Sequence, residues 1–331
     1  MRRTALVAIG GNSLALAGEP MTVAVQRAHV VDACEPLAQL VAAGWRLIVT
    51  HGNGPQVGAA LRRSELGVAD AYPLPLDMCV ASTQGEIGLL LQQGLREALH
   101  RRAIDRPVAT VLTQVVVSPV DPAFARPSKP VGAFYSAAEA EIRRQAGWTL
   151  NEEPPHGQRR VVPSPEPLAI VEERAIRVLF EAGVLVIALG GGGVPVVQRR
   201  HRLEGIDAVV DKDLASALLA IHLDVHVLAM VTDVDRIYAD FAHPDARPLG
   251  MVTPDELRRL SSAGHFPPGT MGPKVEAAIR FIDAGGSAAI VTSPDRLAAA
   301  VEGGEECTRV LSAARAAQRR RGRALASTVV G

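Results

Sequence analysis

The sequence predicts an α/β fold, an open αβα sandwich around a mostly parallel central sheet with a small protruding lid subdomain. Three observations carry that expectation. Short apolar runs alternate with helical patterns along most of the 331 residues, as in parallel strands covered by helices. Three of the runs end in glycine-rich loops, at residues 10–12, 51–54 and 190–193. Between residues 118 and 167 the periodicity weakens into proline clusters and polar turns, which marks an excursion from the sheet.

Residues 4–9 read as the first strand, closed by Gly10-Gly11-Asn12. A helix over 23–43 follows, stopped by Gly44. Residues 46–50 form a second strand that runs into His51-Gly52-Asn53-Gly54, and Pro55 suits the first turn of another helix. A long helix over 77–98 precedes a strand over 108–117. The excursion at 118–167 carries one short helix near 137–145 and is expected to be the mobile part of the molecule. Core patterning resumes with a helix over 168–182 and a strand over 184–189. Residues 208–210 lead through AspLysAsp into a helix reaching about 223, followed by a buried strand at 225–231. Helices at 254–260 and 271–284, a strand at 288–291 and a helix at 294–301 complete one large domain over 1–313. The remainder, 314–331, contains the run Gln318-Arg319-Arg320-Arg321-Gly322-Arg323 and reads as a solvated, disordered basic tail.

Composition narrows the function classes. Aromatics are 3% of the chain, so the core must be built from Val, Leu, Ile and Ala. Thirty-five basic and 35 acidic residues leave no formal net charge, which argues against a general nucleic-acid or membrane-surface binder. Cys34, Cys79 and Cys307 are odd in number and far apart, so neither a disulfide framework nor a zinc knuckle is suggested, and the cytoplasm is the expected location. Arg2-Arg3 before an apolar stretch imitates a leader peptide, but Gly10-Gly11-Asn12-Ser13 breaks the run.

Only three of the basic residues are lysines: Lys129, Lys212 and Lys274. Arginine is a planar fork, whereas lysine is a compact point charge on a flexible stem that can follow a moving phosphoryl group. Ligands of parallel α/β sheets sit at the carboxyl ends of strands, where glycine lets backbone N–H groups approach an anion. The usual phosphate motifs are absent: no lysine follows a glycine as a P-loop requires, and GxGxxG fails at both Gly10 and Gly190. No HExxH or paired-cysteine metal site occurs. His51 has no nucleophile beside it in sequence and reads as a residue that shapes its loop. The remaining constellation suits direct phosphoryl transfer, which needs positioning and charge neutralisation more than covalent chemistry. Neighbouring side chains diverge at a strand-to-helix turn, so Asp213 need not pair with Lys212 and is free to orient a second lysine. Asp211 reads as a helix cap. Thr232-Asp233-Val234-Asp235 is open between contacting a nucleotide and capping a turn.

These segments resemble carbamate kinase, within the amino-acid kinase superfamily, from about residue 5 to residue 309. The resemblance rests on AlaIleGlyGlyAsnSerLeu, ThrHisGlyAsnGlyProGlnValGly, ThrValLeuThrGln, the SerLysProValGly insert, ArgArgValValProSerProGluPro, LeuGlyGlyGlyGlyValProVal, ValAspLysAspLeuAlaSer, ThrAspValAsp and MetGlyProLysValGluAlaAla, with further elements around Tyr72 and Gln84. It implies reversible phosphoryl transfer between ATP and carbamate, usually run to make ATP from carbamoyl phosphate and ADP in arginine catabolism. It also implies Mg²⁺ carried on the nucleotide, a homodimer, and no nucleic-acid or membrane partner. By position, Gly10, Gly11, Asn12, Gly52, Asn53 and Gly54 would cradle carbamate and the transferred group. Lys129 would reach that group from the lid, Lys212 and Lys274 would neutralise charge, and Asp213 would organise lysines. Gly190, Gly191, Thr232, Asp233, Tyr238, Met271 and Gly272 would lie on the nucleotide side. His29, Val80, Glu86 and the tail depart from the family's usual pattern. Two other readings are a kinase of another small acid in the superfamily and a nucleotide-sensing protein without turnover.

Overall fold

The computed structural model describes residues 3–329 apart from positions 12, 13, 17, 242–245, 268 and 270, and from 322 to 329 it describes the backbone alone. The first strand decides the layering. In Thr4–Ile9, Ala5, Val7 and Ile9 join one apolar cluster while Leu6 and Ala8 join another, and all five are buried. A strand buried on both faces needs a helical layer on each. Helices Glu173–Glu181, Lys212–His222 and Met271–Asp283 cover one face, packing Ile176, Leu219 and Ile282 against Leu6, Ile48 and Leu228. Helices Val23–Ala42, Leu76–His100 and Leu297–Val301 cover the other, packing Leu37, Leu91 and Leu297 against Val7, Val49 and Ile187.

The sheet between these layers has eight strands in the order Met251–Val252, Thr308–Val310, Ala288–Thr292, Val227–Val231, Thr4–Ile9, Arg46–His51, Leu185–Ala188 and Val108–Thr110. All pairings are parallel except that of Ala288–Thr292 with Thr308–Val310. The αβα sandwich with a mostly parallel sheet is therefore the observed fold.

Four local expectations need correction. The apolar run 108–117 is two strands, Val108–Thr110 in the main sheet and Gln114–Val116 in a second, four-stranded sheet. Gln84 of the long helix holds the crossing: its Oε1 accepts from Thr113 N at 2.8 Å and its Nε2 donates to Thr113 O at 3.0 Å. The helix expected from 168 starts at Glu173, because Ala169–Ile170 pairs antiparallel with the Gln114–Val116 strand. The hairpin of Val194–Arg199 with Arg202–Gly205 was not anticipated. The segment expected to be a disordered tail from 314 is a helix, Ala313–Val329. Alanine, glutamine and arginine are strong helix formers, and one small apolar side suffices to dock such a helix. Here Ala316 is buried against Ala288 and Leu311, and Arg319 Nη2 donates to Gly303 O at 2.5 Å.

The excursion contains the anticipated helix, Ala137–Gln145, started by a Ser136/Glu139 capping box. It also contains a three-stranded antiparallel sheet of Lys129–Tyr135, Gly157–Val162 and Leu150–Glu153. Its base is packed rather than loose. Val131 and Val162 share an apolar cluster with Val57, Leu61, Leu76, Val80 and Val194 of the body. Tyr135 donates its hydroxyl to Glu65 at 2.6 Å, and Arg143 pairs with the same carboxylate at 3.1 Å while lying over the Tyr135 ring. Val80, one of the departures noted above, thus belongs to the apolar cluster at the base of the lid.

Removing residues 313–331 is expected to lower the melting temperature by about 1–2 °C, the effect of losing about 1 kcal/mol from a domain of this size. Thermal unfolding followed by circular dichroism measures it, and an unchanged midpoint would show that the helix contributes nothing to the core.

Candidate active site

Four neighbouring strands, Val227–Val231, Thr4–Ile9, Arg46–His51 and Leu185–Ala188, point their carboxyl ends the same way. Their loops meet at one cavity of about 580 Å³. Close approach of backbones explains the glycines. A Cβ on Gly52 would stand 2.6 Å from Gly11 N, and a Cβ on Gly191, where φ is +66°, would stand 2.1 Å from Asn53 Oδ1. Any side chain at either position would drive the loops apart, and a positive φ adds strain at the second.

The loop contacts orient the polar groups. Asn53 is buried and its Nδ2 donates to Thr83 Oγ1 at 2.9 Å. His51 Nδ1 donates to Gly52 O at 3.0 Å. Burial pushes its imidazole down to about 4, so it is neutral near pH 7 and serves the loop's shape.

Charge enters from two helix starts and the lid. Asp211 is the N-cap of Lys212–His222: Oδ1 accepts from Asp213 N at 2.9 Å and from Leu214 N at 3.3 Å. Its Oδ2 accepts from Lys129 Nζ at 2.8 Å, so it is a cap and a partner of the lid lysine. Asp213 takes Lys212 Nζ on Oδ1 at 2.8 Å and Lys274 Nζ on Oδ2 at 2.7 Å. The expectation that Asp213 and Lys212 diverge is therefore overturned: the flexible lysine stem turns back onto its neighbour, and the carboxylate serves both lysines. Burial alone would raise the Asp213 pKa, but the two ammonium groups outweigh it and hold it well below the ordinary carboxylate range. Burial pushes Lys212 down against the pull of Asp213, whereas at Lys274 the Asp213 carboxylate overcomes burial and holds the pKa up.

Of the residues singled out from sequence, Gly10, Gly11, Gly52, Asn53, Gly54, Lys129, Gly191, Lys212, Asp213, Thr232, Asp233, Met271 and Lys274 line the cavity. Three stand outside its lining. Gly190 lies behind it against the His51 ring, Tyr238 donates to Asp235 at 2.8 Å, and Gly272 N donates to Pro267 O at 3.0 Å. Asn12 falls outside the described residues. Sequence reasoning missed Val209, Val210, Phe241, Pro267 and Gly269, which also line the cavity. Phe241, which is 55% exposed, had a usable signal in the sequence, since aromatics are scarce in this chain and it sits soon after the ThrAspValAsp turn. Among the described residues no group of three His, Cys, Asp or Glu side chains could hold a metal ion unaided.

A strand-end site of this kind on this sheet defines a class, and residues 3–293 match the amino acid kinase family, to which the chain belongs. Within it the chain belongs with the carbamate kinases. It is 43% identical over 302 residues to the carbamate kinase of Thermococcus kodakarensis, covering 90% of this chain and 96% of that one. Carbamate kinase from Giardia lamblia bound to AMP-PNP superposes with a TM-score of 0.89 at 38% identity, covering 94% of this chain and 98% of the other. The same Giardia enzyme thiocarbamoylated by disulfiram on a cysteine superposes at 0.87 and 38% identity, covering 94% and 99%.

Replacing Asp213 by Asn strands two buried ammonium groups, and the expected cost is about 3 kcal/mol or more, read from the denaturant midpoint. The pH dependence has a definite sign. A carboxyl held below the 3.8 of free aspartate contributes its stability in full above about pH 4 and loses it only as pH falls through the lower folded value. The gap between wild type and Asp213→Asn should therefore stay constant on the Asp213 account from pH 5 to pH 7 and shrink only in strong acid. Equal stability of the two proteins at pH 7 would refute the charge-sharing account.

Proposed function

We propose that this chain transfers a phosphoryl group reversibly between ATP and carbamate, and that it works chiefly to form ATP from ADP and carbamoyl phosphate in arginine catabolism. The carrying observation is the Asp213 carboxylate shared by Lys212 and Lys274 where the glycine loops meet, in a chain that belongs with the carbamate kinases. Transfer is direct. A bond forms between phosphorus and the ADP oxygen as the bond to the carbamate oxygen breaks, with no enzyme-bound intermediate. His51, buried and neutral, takes no part as a nucleophile.

In this reading Gly10, Gly11, Asn12, Gly52, Asn53 and Gly54 surround the carbamoyl end, which is held by the anchored Asn53 amide and by backbone N–H groups other than that of Gly52, which donates to Ile9 O at 2.9 Å. Lys129 contacts the migrating group from the lid, and Lys212 and Lys274 offset charge on the nucleotide side. Gly191, Thr232, Asp233 and Met271 border the nucleotide, with Phe241 added as a face for the base or sugar. Gly190, Gly272 and Tyr238 act behind them by shaping the loops. Binding of AMP-PNP by the Giardia enzyme supports a nucleotide here. Mg²⁺ fits as a companion of the nucleotide: the local carboxylates Asp211 and Asp213 are engaged by lysines, and this ion keeps waters and phosphate oxygens as ligands rather than needing a protein cage. It would supply charge neutralisation on the phosphates. A cytoplasmic homodimer is the form proposed. No helix among the described residues is long and apolar enough to cross a membrane.

An ADP phosphorylation assay with carbamoyl phosphate tests the reading, and its absence with purified protein would sink it. In that assay Lys129→Arg is expected to fold normally and lose about a hundredfold or more in turnover, because a planar fork cannot replace a point charge on the migrating group.

The disulfiram adduct of the Giardia enzyme sets a second test. Cys34, Cys79 and Cys307 are buried here and none lines the cavity. Burial, aided by Glu97, raises the Cys34 thiol to about 12, and burial also raises the other two. Thiolates are the reactive species, so disulfiram should leave the folded protein active and unlabelled by mass spectrometry. Rapid inactivation with a single adduct would contradict this.

A further inference from the structure

We propose that Asp211 is a positioning residue whose carboxylate holds the Lys129 ammonium over the cavity, a proposal that rests on the phosphoryl-transfer reading above. The two oxygens of Asp211 are divided between tasks. Oδ1 caps the Lys212–His222 helix through Asp213 N and Leu214 N, and Oδ2 takes Lys129 Nζ at 2.8 Å. The cap needs only an oxygen, and the lysine contact needs the charge. Both partners are largely withdrawn from water, with side-chain exposures of 27% and 11%, so the pair is screened less than a surface pair.

The position of Lys129 makes the contact consequential. It is the first residue of the lid strand Lys129–Tyr135, which packs on the body through Val131. An ammonium carries three donors. One goes to Asp211, and a second points at Gly269 O at 3.5 Å, on the loop that leads to the Lys274 helix. Among the described residues the third has no partner, which leaves it for a phosphoryl oxygen, and Lys129 lines the cavity where that oxygen would sit. Asp211 thereby ties the lid lysine to the same helix turn that carries Lys212 and Asp213, so all three lysines are referenced to one rigid element.

Asp211→Asn separates the two tasks, since asparagine caps as well as aspartate but turns a donor toward the lysine. The variant is expected to melt near the wild-type temperature and to lose about a hundredfold in kcat, with KM for ADP little changed, as for a misplaced catalytic group. Asp211→Ser, which also keeps a capping oxygen, should behave alike. In a Lys129→Ala background Asp211→Asn should cost nothing further, because its effect runs only through that lysine. An additive loss in that background, or wild-type or higher kcat in either single variant, overturns the proposal. Hydrogen exchange without ligand gives a readout independent of the substrate assignment. The Lys129–Tyr135 strand should exchange faster in Asp211→Asn while the Lys212–His222 helix stays protected. Unchanged exchange in the strand overturns the proposal even if ADP is phosphorylated, and faster exchange supports it even if ADP is not.

Discussion

One carboxylate between two ammonium groups is the constraint on which the rest of this structure depends. Asp213 is 4% exposed and Lys274 9% exposed, and neither would stay ionised alone in such a place. Together with Lys212 they can, provided the geometry is held on all sides. The helix that starts at Lys212 supplies two of the three groups, and its cap, Asp211, fixes where that helix begins. The helix Met271–Asp283 supplies the third, and the two helices lie side by side on the same face of the sheet. Buried apolar side chains such as Leu219, Ala278 and Ile282 therefore do more than fill volume. They fix the distance between two cations that repel each other, and thereby the pocket that an anion enters.

How much of this was legible in the sequence follows from which forces are local. The strand-end glycines at 10–11, 52 and 190–191 were readable because a tight backbone approach leaves a mark in residue type. The expected helices at 137–145 and 271–284 match Ala137–Gln145 and Met271–Asp283 closely, because capping residues and periodicity are local signals. The break at 111–113 was not readable. Its cause is a glutamine almost thirty residues earlier that clamps Thr113, and nothing within the run 108–117 records it. The same holds for Ala169–Ile170, whose strand character comes only from its partner Gln114–Val116. The C-terminal helix leaves no apolar periodicity in the sequence for a different reason: a single buried alanine and an arginine contact dock it.

At the site, residue types were easier to read than pairings. Three lysines in an arginine-rich chain pointed to point charges, and all three do face one cavity. Which carboxylate serves which lysine depended on side-chain reach. Adjacent residues at a helix start diverge at Cβ, yet four methylenes let Lys212 fold back onto Asp213. Arginine at that position would bring a fork too broad to share one carboxylate with Lys274, which gives a physical reason for lysine there.

The cavity is not a simple positive well. Lys129, Lys212 and Lys274 face Asp211, Asp213 and Asp233 in its lining, so the side chains carry no formal net charge, like the chain as a whole. A site for phosphates must then draw its favourable potential from elsewhere. The backbone provides it. Helices Gly54–Leu66, Lys212–His222 and Met271–Asp283 all begin at the cavity, and their dipoles, with those first-turn N–H groups that Asp211 and Pro267 do not take, are fixed in direction. The glycine loops add N–H groups that no side chain screens. Lysines neutralised by aspartates are also held in place by them, so their charge is available at a defined point without making the empty cavity a trap for any passing anion. Selectivity then comes from geometry, because only a ligand that spans the glycine loops and the helix starts at once can use both sets of donors.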